Sequence, residues 1–500
     1  MEPTTEAGRR VVVIGAGLGG ISAALSLAAD GYEVRVFEKN DHVGGKLNLL
    51  QTEGFSFDLG PSILTLPEYF EKLFRQHGRQ MSDYVAIREL TPHWRNFFED
   101  GARIDLLPDP DETAARNDTL GDEDGADLRE FLAYSKRLYE KSKPGYFDRG
   151  LDTAWQMARF YGPISALRDF DLFSSMHDGV ARRVRNEHLQ HILDFFIKYV
   201  GSSPYDAPGV MNLLAHVQCA FGLWYVDGGM FNLALALDKL AREVGIELCL
   251  GQEVVGLSAS GGRVTAAELA DGRGVDGDLF VCNMEVIPAC ERLLREPPPV
   301  LRKLSKFEPA CSGLVLHLGT DREYPQLAHH NFFFSADPRN HFADVFHRKV
   351  LPRDPTVYVV ASSRTDATQA PDGCENIKAL PHIPHRQDEP FAEDEIAALR
   401  ERVLDKLERM GLEDLRQHIV VDDMWTPADI ESRYYSNRGA IYGVVADRKK
   451  NRGFKAPKQS PRYANLYFVG GSVNPGGGMP MAVLSGQQVR DRIVAESRAS

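Results

Sequence analysis

Two glycine-rich stretches, one near each end of the chain, hold the residues with the clearest chemical use. Near the N-terminus, Gly15, Gly17 and Gly20 are spaced as G-x-G-x-x-G after an apolar run at 11–14. Glu38 follows at about the 20-residue distance where a carboxylate meets a ribose 2′-hydroxyl. Glycines so placed allow a tight turn, a close backbone approach to pyrophosphate, and close packing of a helix on a strand. The helix start beyond them offers free N–H groups to phosphate. The pattern predicts an adenine-dinucleotide site, and an acid at position 38 favours FAD or NAD over NADP. Asp41-His42-Val43-Gly44-Gly45-Lys46 comes next, where Gly45 permits a second close approach and Lys46 supplies a point charge.

Near the C-terminus, Gly470, Gly471, Pro475, Gly476, Gly477, Gly478 and Pro480 lie between an apolar run at 466–469 and a helix-forming stretch. Such a loop lets the backbone pass close to something flat. Pro480, with no N–H and a preset φ, suits a first helical turn. A helix start carries about half a unit of positive charge, and a reduced flavin holds negative charge at one ring edge. Residues 474–481, including Met479 and Met481, are therefore expected to form a flavin-facing wall. The two ends together predict FAD, one holding the nucleotide and the other meeting the ring.

The elements that must position these residues read as α/β. Helix is expected over 21–29, closed by Gly31, and strand over 33–38. A further strand from Phe55 ends in a turn with Gly60, Pro61 and Ser62. Arg9-Arg10 before an apolar run imitates an export signal, but the dinucleotide fingerprint accounts for the glycines inside it. Residues 106–128, rich in Asp, Gly, Glu and Thr, read as a surface loop, and 128–200 as helical. Residues 224–230 return the chain to the cofactor unit. A helix over 233–244 follows, with strands at 246–248, 253–257, 264–269 and 278–282 expected to continue one sheet. Strands at 313–318 and 357–361 and an amphipathic helix over 393–410 complete the reading. The cofactor unit is thus built from 1–75, 226–298 and 432–500, and a substrate unit from 76–225 and 299–431.

With 500 residues the chain can form two or three domains with proper cores. Its 43% hydrophobic and 26% charged residues are those of an ordinary globular protein, which excludes a disordered chain. The six cysteines form no C-x-x-C pair and suit buried thiols in a reducing compartment. No metal is expected: the histidines lack ligand spacing, and His329 and His330 would face opposite sides of a strand. A net charge of −13 argues against a nucleic-acid partner. Arg182, Arg183 and Arg185, and the run of Arg448, Lys449, Lys450, Arg452, Lys455 and Lys458, could dock locally, with a solvated surface the preferred reading for each. No stretch reads as a transmembrane helix.

With Val43-Gly44-Gly45-Lys46 and the Phe55–Ser62 stretch, the chain resembles the FAD-dependent amine oxidase and carotenoid desaturase superfamily. Members usually carry Arg where this chain has Lys46. The segments GFSFDLGPSILTLP, FIKYVGSSPYDAPGV, YPQLAHHNFFF, NIKALPHIPH and SNRGAIYGVVADRKKNRGFKAPK extend this to bacterial oxidases of C30 carotenoids. The resemblance implies a Rossmann-type FAD-binding domain of the phytoene desaturase kind with an inserted α+β substrate domain. It places a backbone group of Val254 at the adenine. It implies oxidation of the terminal methyl of an acyclic C30 carotenoid to an aldehyde, with desaturation as the alternative and dioxygen or a quinone as electron acceptor. No catalytic side chain follows from it. Tyr442 and Asn437 are candidates near the ring, with a structural role preferred for each, and the lack of an obvious aromatic cage argues against an amine oxidase. At about 0.8 kcal/mol per buried CH2, such a polyene gains on the order of 20 kcal/mol on leaving water. It therefore resides in lipid, so a cytoplasmic protein docked peripherally on the inner face of the cell membrane is expected, with the substrate unit making the contact.

Overall fold

The computed structural model describes residues 8–162, 165 and 169–498. Parts of two expectations, the cofactor unit at 1–7 and 499–500 and the helical stretch at 163–164 and 166–168, lie outside them. The centre of the cofactor region is a five-stranded parallel sheet. Its order is Leu466–Phe468, Leu279–Cys282, Arg10–Ile14, Glu33–Glu38, Glu247–Leu250. Val11 to Ile14 are buried as one continuous apolar run, as a strand covered on both faces requires. Its neighbours come from sequence positions hundreds of residues apart, so the sheet ties the chain's two ends together.

Helix Leu18–Ala28 covers one face of this sheet and packs on the C-terminal helix Met479–Ser497. The contact is almost backbone to backbone: a Cβ at Gly486 would lie 2.6 Å from the Ala23 amide nitrogen and from the Gly19 carbonyl oxygen. Ser22 Oγ adds a 2.6 Å hydrogen bond to the Val483 carbonyl. The two glycine-rich loops that precede these helices are thereby held side by side.

Like Val254–Ser260, strand Arg263–Leu269 does not continue the parallel sheet. It pairs antiparallel with Val254–Ser260 and Gly274–Asp276 in a separate three-stranded ribbon. Its burial alternates along the strand, as a half-buried antiparallel strand should. The second large sheet is mixed. Its order is Ile419–Trp425, Val315–Thr320, Glu375–Ile383, Val357–Val360, His330–Phe333, Trp94–Phe97, Arg103–Leu106. Helix Glu393–Arg409 covers it with Ile396, Leu399, Val403 and Leu407.

The acidic stretch 106–128 is helical over much of its length, not a loop. Asp109 caps helix Pro110–Arg116 by accepting from the Asp111 and Glu112 amides, and Pro opens it. Helix Asp122–Ser142 then places Asp122, Glu123 and Asp124 in its first turn. Acids there favour the helix dipole, so the composition that suggested a loop is helix-start chemistry.

One ion cluster fastens the mixed sheet to residues 441–446, which carry Tyr442. Ala310 N donates to the Gly443 carbonyl and Val445 N to the Glu308 carbonyl. The Glu308 carboxylate pairs with Lys349 at 2.6 Å and with Lys450, with His385 at 3.8 Å. Burial raises the Glu308 pKa, but His385, Lys349 and Lys450 outweigh it and hold the carboxyl well below its usual range. A depressed folded pKa gives stability that is present above the unfolded value of about 4.3 and is lost as pH falls below it. Glu308→Gln is therefore expected to lower thermal stability at pH 7. The gap to the parent should shrink steadily in melts taken below about pH 4.

Candidate functional site

One cavity of about 710 Å3 runs between the two large sheets. Gly15 and Gly17 line it at one end, with Gly45 and Lys46 from the next loop and Glu38 and Val254 beyond. Gly60, Pro61 and Ser62 form part of a second wall. Gly470, Gly471, Pro475, Gly478, Met479, Pro480 and Met481 form a third. Tyr442 lies on the same surface. Of the loop glycines and ring candidates singled out from the sequence, Gly20, Gly476 and Asn437 do not line it. Gly20 sits behind the turn, where a Cβ would collide with the Gly15 carbonyl oxygen. The Asn437 amide donates to Glu285 Oε2 at 3.2 Å.

Glu38 is buried, and each of its oxygens already serves the backbone. Oε2 accepts from Ala16 N at 2.7 Å and Oε1 from Asn40 N at 2.9 Å. It thus binds the glycine turn to its strand, while each oxygen keeps a lone pair for a hydroxyl. Gly44 N donates to the Ala16 carbonyl at 2.9 Å, which lays the Gly44-Gly45 loop against the turn. A Cβ at Gly19 would come within 2.7 Å of the Gly470 amide nitrogen, so the C-terminal loop meets the same turn. Helix Met479–Ser497 has no side-chain cap at Gly478, so its first N–H groups remain for a ligand. These features fit an elongated dinucleotide: a carboxylate for ribose, two helix starts whose first N–H groups face the cavity, and backbone close enough to touch pyrophosphate and ring.

The Lys46 ammonium donates to the Ala440 carbonyl at 3.1 Å and lies 3.6 Å from Glu285. Burial pushes the Lys46 pKa down and that of Glu285 up, and each group pulls the other back. Its charge is therefore shared with the segment before Tyr442. The C-terminal loop is fixed from the substrate side as well. Tyr146 Oη donates to the Pro475 carbonyl at 2.9 Å, and Asn474 Nδ2 to the Asp152 carbonyl at 3.2 Å.

Several functional neighbours lie where sequence reasoning had no signal. Asn283, directly after strand Leu279–Cys282, accepts from Gly20 N at 3.0 Å. It caps the dinucleotide helix from a distant part of the chain. Loss of a helix cap costs about 0.5–2 kcal/mol. Asn283→Leu is accordingly expected to weaken FAD retention roughly tenfold, read as flavin lost on dialysis. Lys378 is buried on the cavity wall, with its ammonium directed into the Asp58–Ser62 turn. Tyr199 and Tyr358 join the ring candidate Tyr442 on the cavity surface, a grouping the sequence did not reveal. Burial raises the pKa of all three, so they remain neutral hydroxyls. Tyr199 donates to Gln218 at 2.8 Å, and Tyr358 pairs with His330 Nδ1 at 2.9 Å. Behind them Lys198 is 4% exposed, its Nζ 3.1 Å from the Trp94 ring centroid and 3.9 Å from that of Phe332.

His329 and His330 do not face apart. His329 precedes the strand His330–Phe333, and the two buried rings meet with centroids 4.4 Å apart. Among the described residues no group of three His, Cys, Asp or Glu is placed to hold a metal. All six cysteines are free thiols.

Away from the glycine loops the cavity continues as an apolar arm. Met157, Ala158, Phe170, Leu172, Met211 and Leu214 line it. Glu38, Lys46, Glu285 and Lys455 are among the charged lining groups, with Lys378 on the wall of the Asp58–Ser62 turn and Arg452 just after the 441–446 segment. The arm can hold a long hydrocarbon, and the six side chains named offer it no acid or base.

A parallel sheet with a glycine fingerprint, joined to a mixed sheet across such a cavity, defines a flavoprotein oxidoreductase. The chain matches the family described as flavin containing amine oxidoreductase over residues 18–494, and it belongs to that family. Its cofactor is FAD. Over 98% of both chains it is 58% identical to the 4,4′-diapolycopene oxygenase of a Methylomonas species. It is 53% identical to the 4,4′-diaponeurosporene oxygenase of Staphylococcus aureus, over 97% of this chain and 98% of the relative. Among solved structures, putrescine oxidase bound to putrescine superposes with a TM-score of 0.67 at 15% identity, over 98% of this chain and 99% of the other. An oxidoreductase from Methanosarcina mazei gives 0.64 at 16% identity, over 96% and 100%. These structural likenesses show the shared fold.

Proposed function

We propose that this enzyme oxidises the terminal methyl group of an acyclic C30 carotenoid, of the diaponeurosporene or diapolycopene kind, to an aldehyde. The observation that carries this reading is the single cavity joining the dinucleotide cradle to an apolar arm. The identity to two carotenoid oxygenases along nearly the whole chain supports the substrate class. FAD, when bound, supplies the hydride acceptor, while a positive charge left on a methyl carbon is spread along the conjugated chain. The protein's own residues bind, orient and exclude water. In this reading Gly15, Gly17, Gly45 and Glu38 hold the nucleotide, with Val254 at the adenine. The Gly470–Met481 loop backs the ring, and Gly60, Pro61 and Ser62 close it from the other wall. Met157, Phe170, Leu172 and their neighbours hold the polyene straight, so that one chain end lies at the ring. Among the described lining residues, the tyrosine hydroxyls are neutral, Lys46 is paired with Glu285, and Lys378 and Lys455 donate to backbone carbonyls, which leaves no strong unpartnered base beside it.

Residues 1–75, 226–298 and 432–500 form the cofactor unit in this account, and 76–225 and 299–431 the unit that takes substrate from the membrane surface. Dioxygen or a quinone takes the electrons away. Among the described residues no helix is long and apolar enough to cross a membrane, so the contact in this reading is peripheral. Mixing the oxidised holoenzyme with diaponeurosporene without oxygen tests the reading. Bleaching of the flavin band by the polyene is expected. Bleaching by putrescine but not by the polyene would overturn it in favour of amine oxidation.

A further inference from the structure

We infer that helix Ala154–Tyr161 and the segment around Phe173 form the membrane-docking face, seated on an anionic lipid surface at the open end of the apolar arm. The inference rests on the carotenoid reading and deepens it by naming the residues that meet lipid. Among the described residues, the exposed large hydrophobic side chains that are aromatic are Trp155 (67% exposed), Phe160 (36%) and Phe173 (77%). The remaining exposed ones, Leu235, Val255, Val350, Val420 and Met424, are not aromatic; Val420 and Met424 share strand Ile419–Trp425, and the others come from separate elements. Isolated exposed apolar residues need no explanation, but a local aromatic group does.

The aromatics belong to the two segments that wall the arm. Ala154, Met157 and Ala158 line the cavity, while Trp155 and Phe160 of the same helix are turned to solvent. Phe170 and Leu172 line it too, and Phe173 is turned out. The Tyr161 and Phe170 rings, 4.9 Å apart, join the two segments. A side chain that enters a bilayer here sits one helix face away from the path of a polyene leaving it.

Guanidinium groups fringe this aromatic face. Arg149 stacks 4.7 Å from the Phe160 ring centroid, and Arg159 lies 5.6 Å from that of Trp155. Arg448 donates to the Phe173 carbonyl at 2.9 Å, and Arg182 to Ser174 Oγ at 2.8 Å. The nearby acids are engaged elsewhere: Asp148 with Lys143, Asp169 with Lys141, and Asp171 with the Tyr134 hydroxyl. In a chain of net charge −13, this is a local cationic rim around exposed aromatics. Aromatic side chains that sink to headgroup depth, ringed by arginines, fit the interface of an anionic leaflet.

Holoprotein sedimented with vesicles tests this. The parent is expected to bind phosphatidylcholine vesicles containing phosphatidylglycerol, and pure phosphatidylcholine vesicles more weakly. Trp155→Ser with Phe173→Ser should reduce binding to both by at least about tenfold. Arg149→Glu with Arg159→Glu should remove only the preference for phosphatidylglycerol. The aromatic double variant should keep its flavin and its turnover of carotenoid in detergent micelles, and lose turnover of carotenoid held in vesicles. Vesicle binding equal to the parent in the aromatic variant would overturn the assignment, as would equal loss in a Leu235→Ser, Met424→Ser control. Normal vesicle binding without carotenoid turnover would instead count against the substrate reading and leave the docking face standing.

Discussion

Gly20→Val is expected to yield protein without flavin. The added Cβ would collide with the Gly15 carbonyl oxygen and sit 3.2 Å from Asn283 Cβ. Neither neighbour can yield. The Gly15 amide is hydrogen-bonded to the Phe37 carbonyl, and Asn283 is held by its own amide to the Ile14 carbonyl. The alternative is for helix Leu18–Ala28 to move off the sheet. That would pull Gly486 and Ser22 away from their backbone contacts and shift the C-terminal loop with them. Forced overpacking costs about 1–3 kcal/mol where the surroundings can adjust, so a loss of FAD affinity of about a hundredfold or more is expected. The flavin-to-protein absorbance ratio after purification reads it directly. Gly274→Ala is the control, because a Cβ there meets nothing within 4 Å.

Lys378→Met is expected to damage the opposite wall. Its ammonium donates to the Asp58 carbonyl at 2.8 Å, to the Gly60 carbonyl at 2.7 Å and to the Ser62 hydroxyl. These three acceptors shape the Asp58–Ser62 turn, while the Asp58 carboxylate holds Met230 N at 2.9 Å. Each buried acceptor left unpaired costs about 1–3 kcal/mol, so several kcal/mol of holoprotein stability should go. Burial pushes the Lys378 pKa down to about 8, against the pull of Asp58. Between about pH 8 and the unfolded value of about 10.4 the unfolded chain then binds the extra proton, and stability rises with pH. The parent's advantage over the variant should therefore be present at pH 7 and widen toward pH 10 in paired urea melts. An advantage that narrows over that range would contradict the buried, depressed ammonium.

What could be read from the chain was mostly what short-range backbone chemistry dictates. Gly15, Gly17 and Gly20, with a strand before and a helix after, specify their own turn, and Glu38 follows at a fixed distance. The C-terminal loop is legible for the same reason. Asn283, Lys378 and Tyr358 were not, because each acts on a segment far from it in sequence, and only the sheet order brings them there. An asparagine after an apolar run or a lysine in a strand carries no local mark of that duty. The aromatic group of Tyr199, Tyr358 and Tyr442 escaped notice because its members come from three separate elements. Composition misled at 106–128, where acids at helix starts resembled a polar loop. It also misled at 264–269, where an alternating strand was assigned to a sheet of continuously buried ones. Trp155 and Phe173 were visible as residues, but only burial separates an outward aromatic from the core ones beside it.

Which bond of the polyene meets the flavin-facing loop decides the reaction. The most direct measurement is to express the protein in cells already making diaponeurosporene and determine the mass of the new pigment. Terminal-methyl oxidation predicts a product that has gained one oxygen and lost two hydrogens, with an aldehyde at the chain end. A product that has lost hydrogens without gaining oxygen, from diaponeurosporene or from a diapophytoene-making strain, would contradict it and make the enzyme a desaturase.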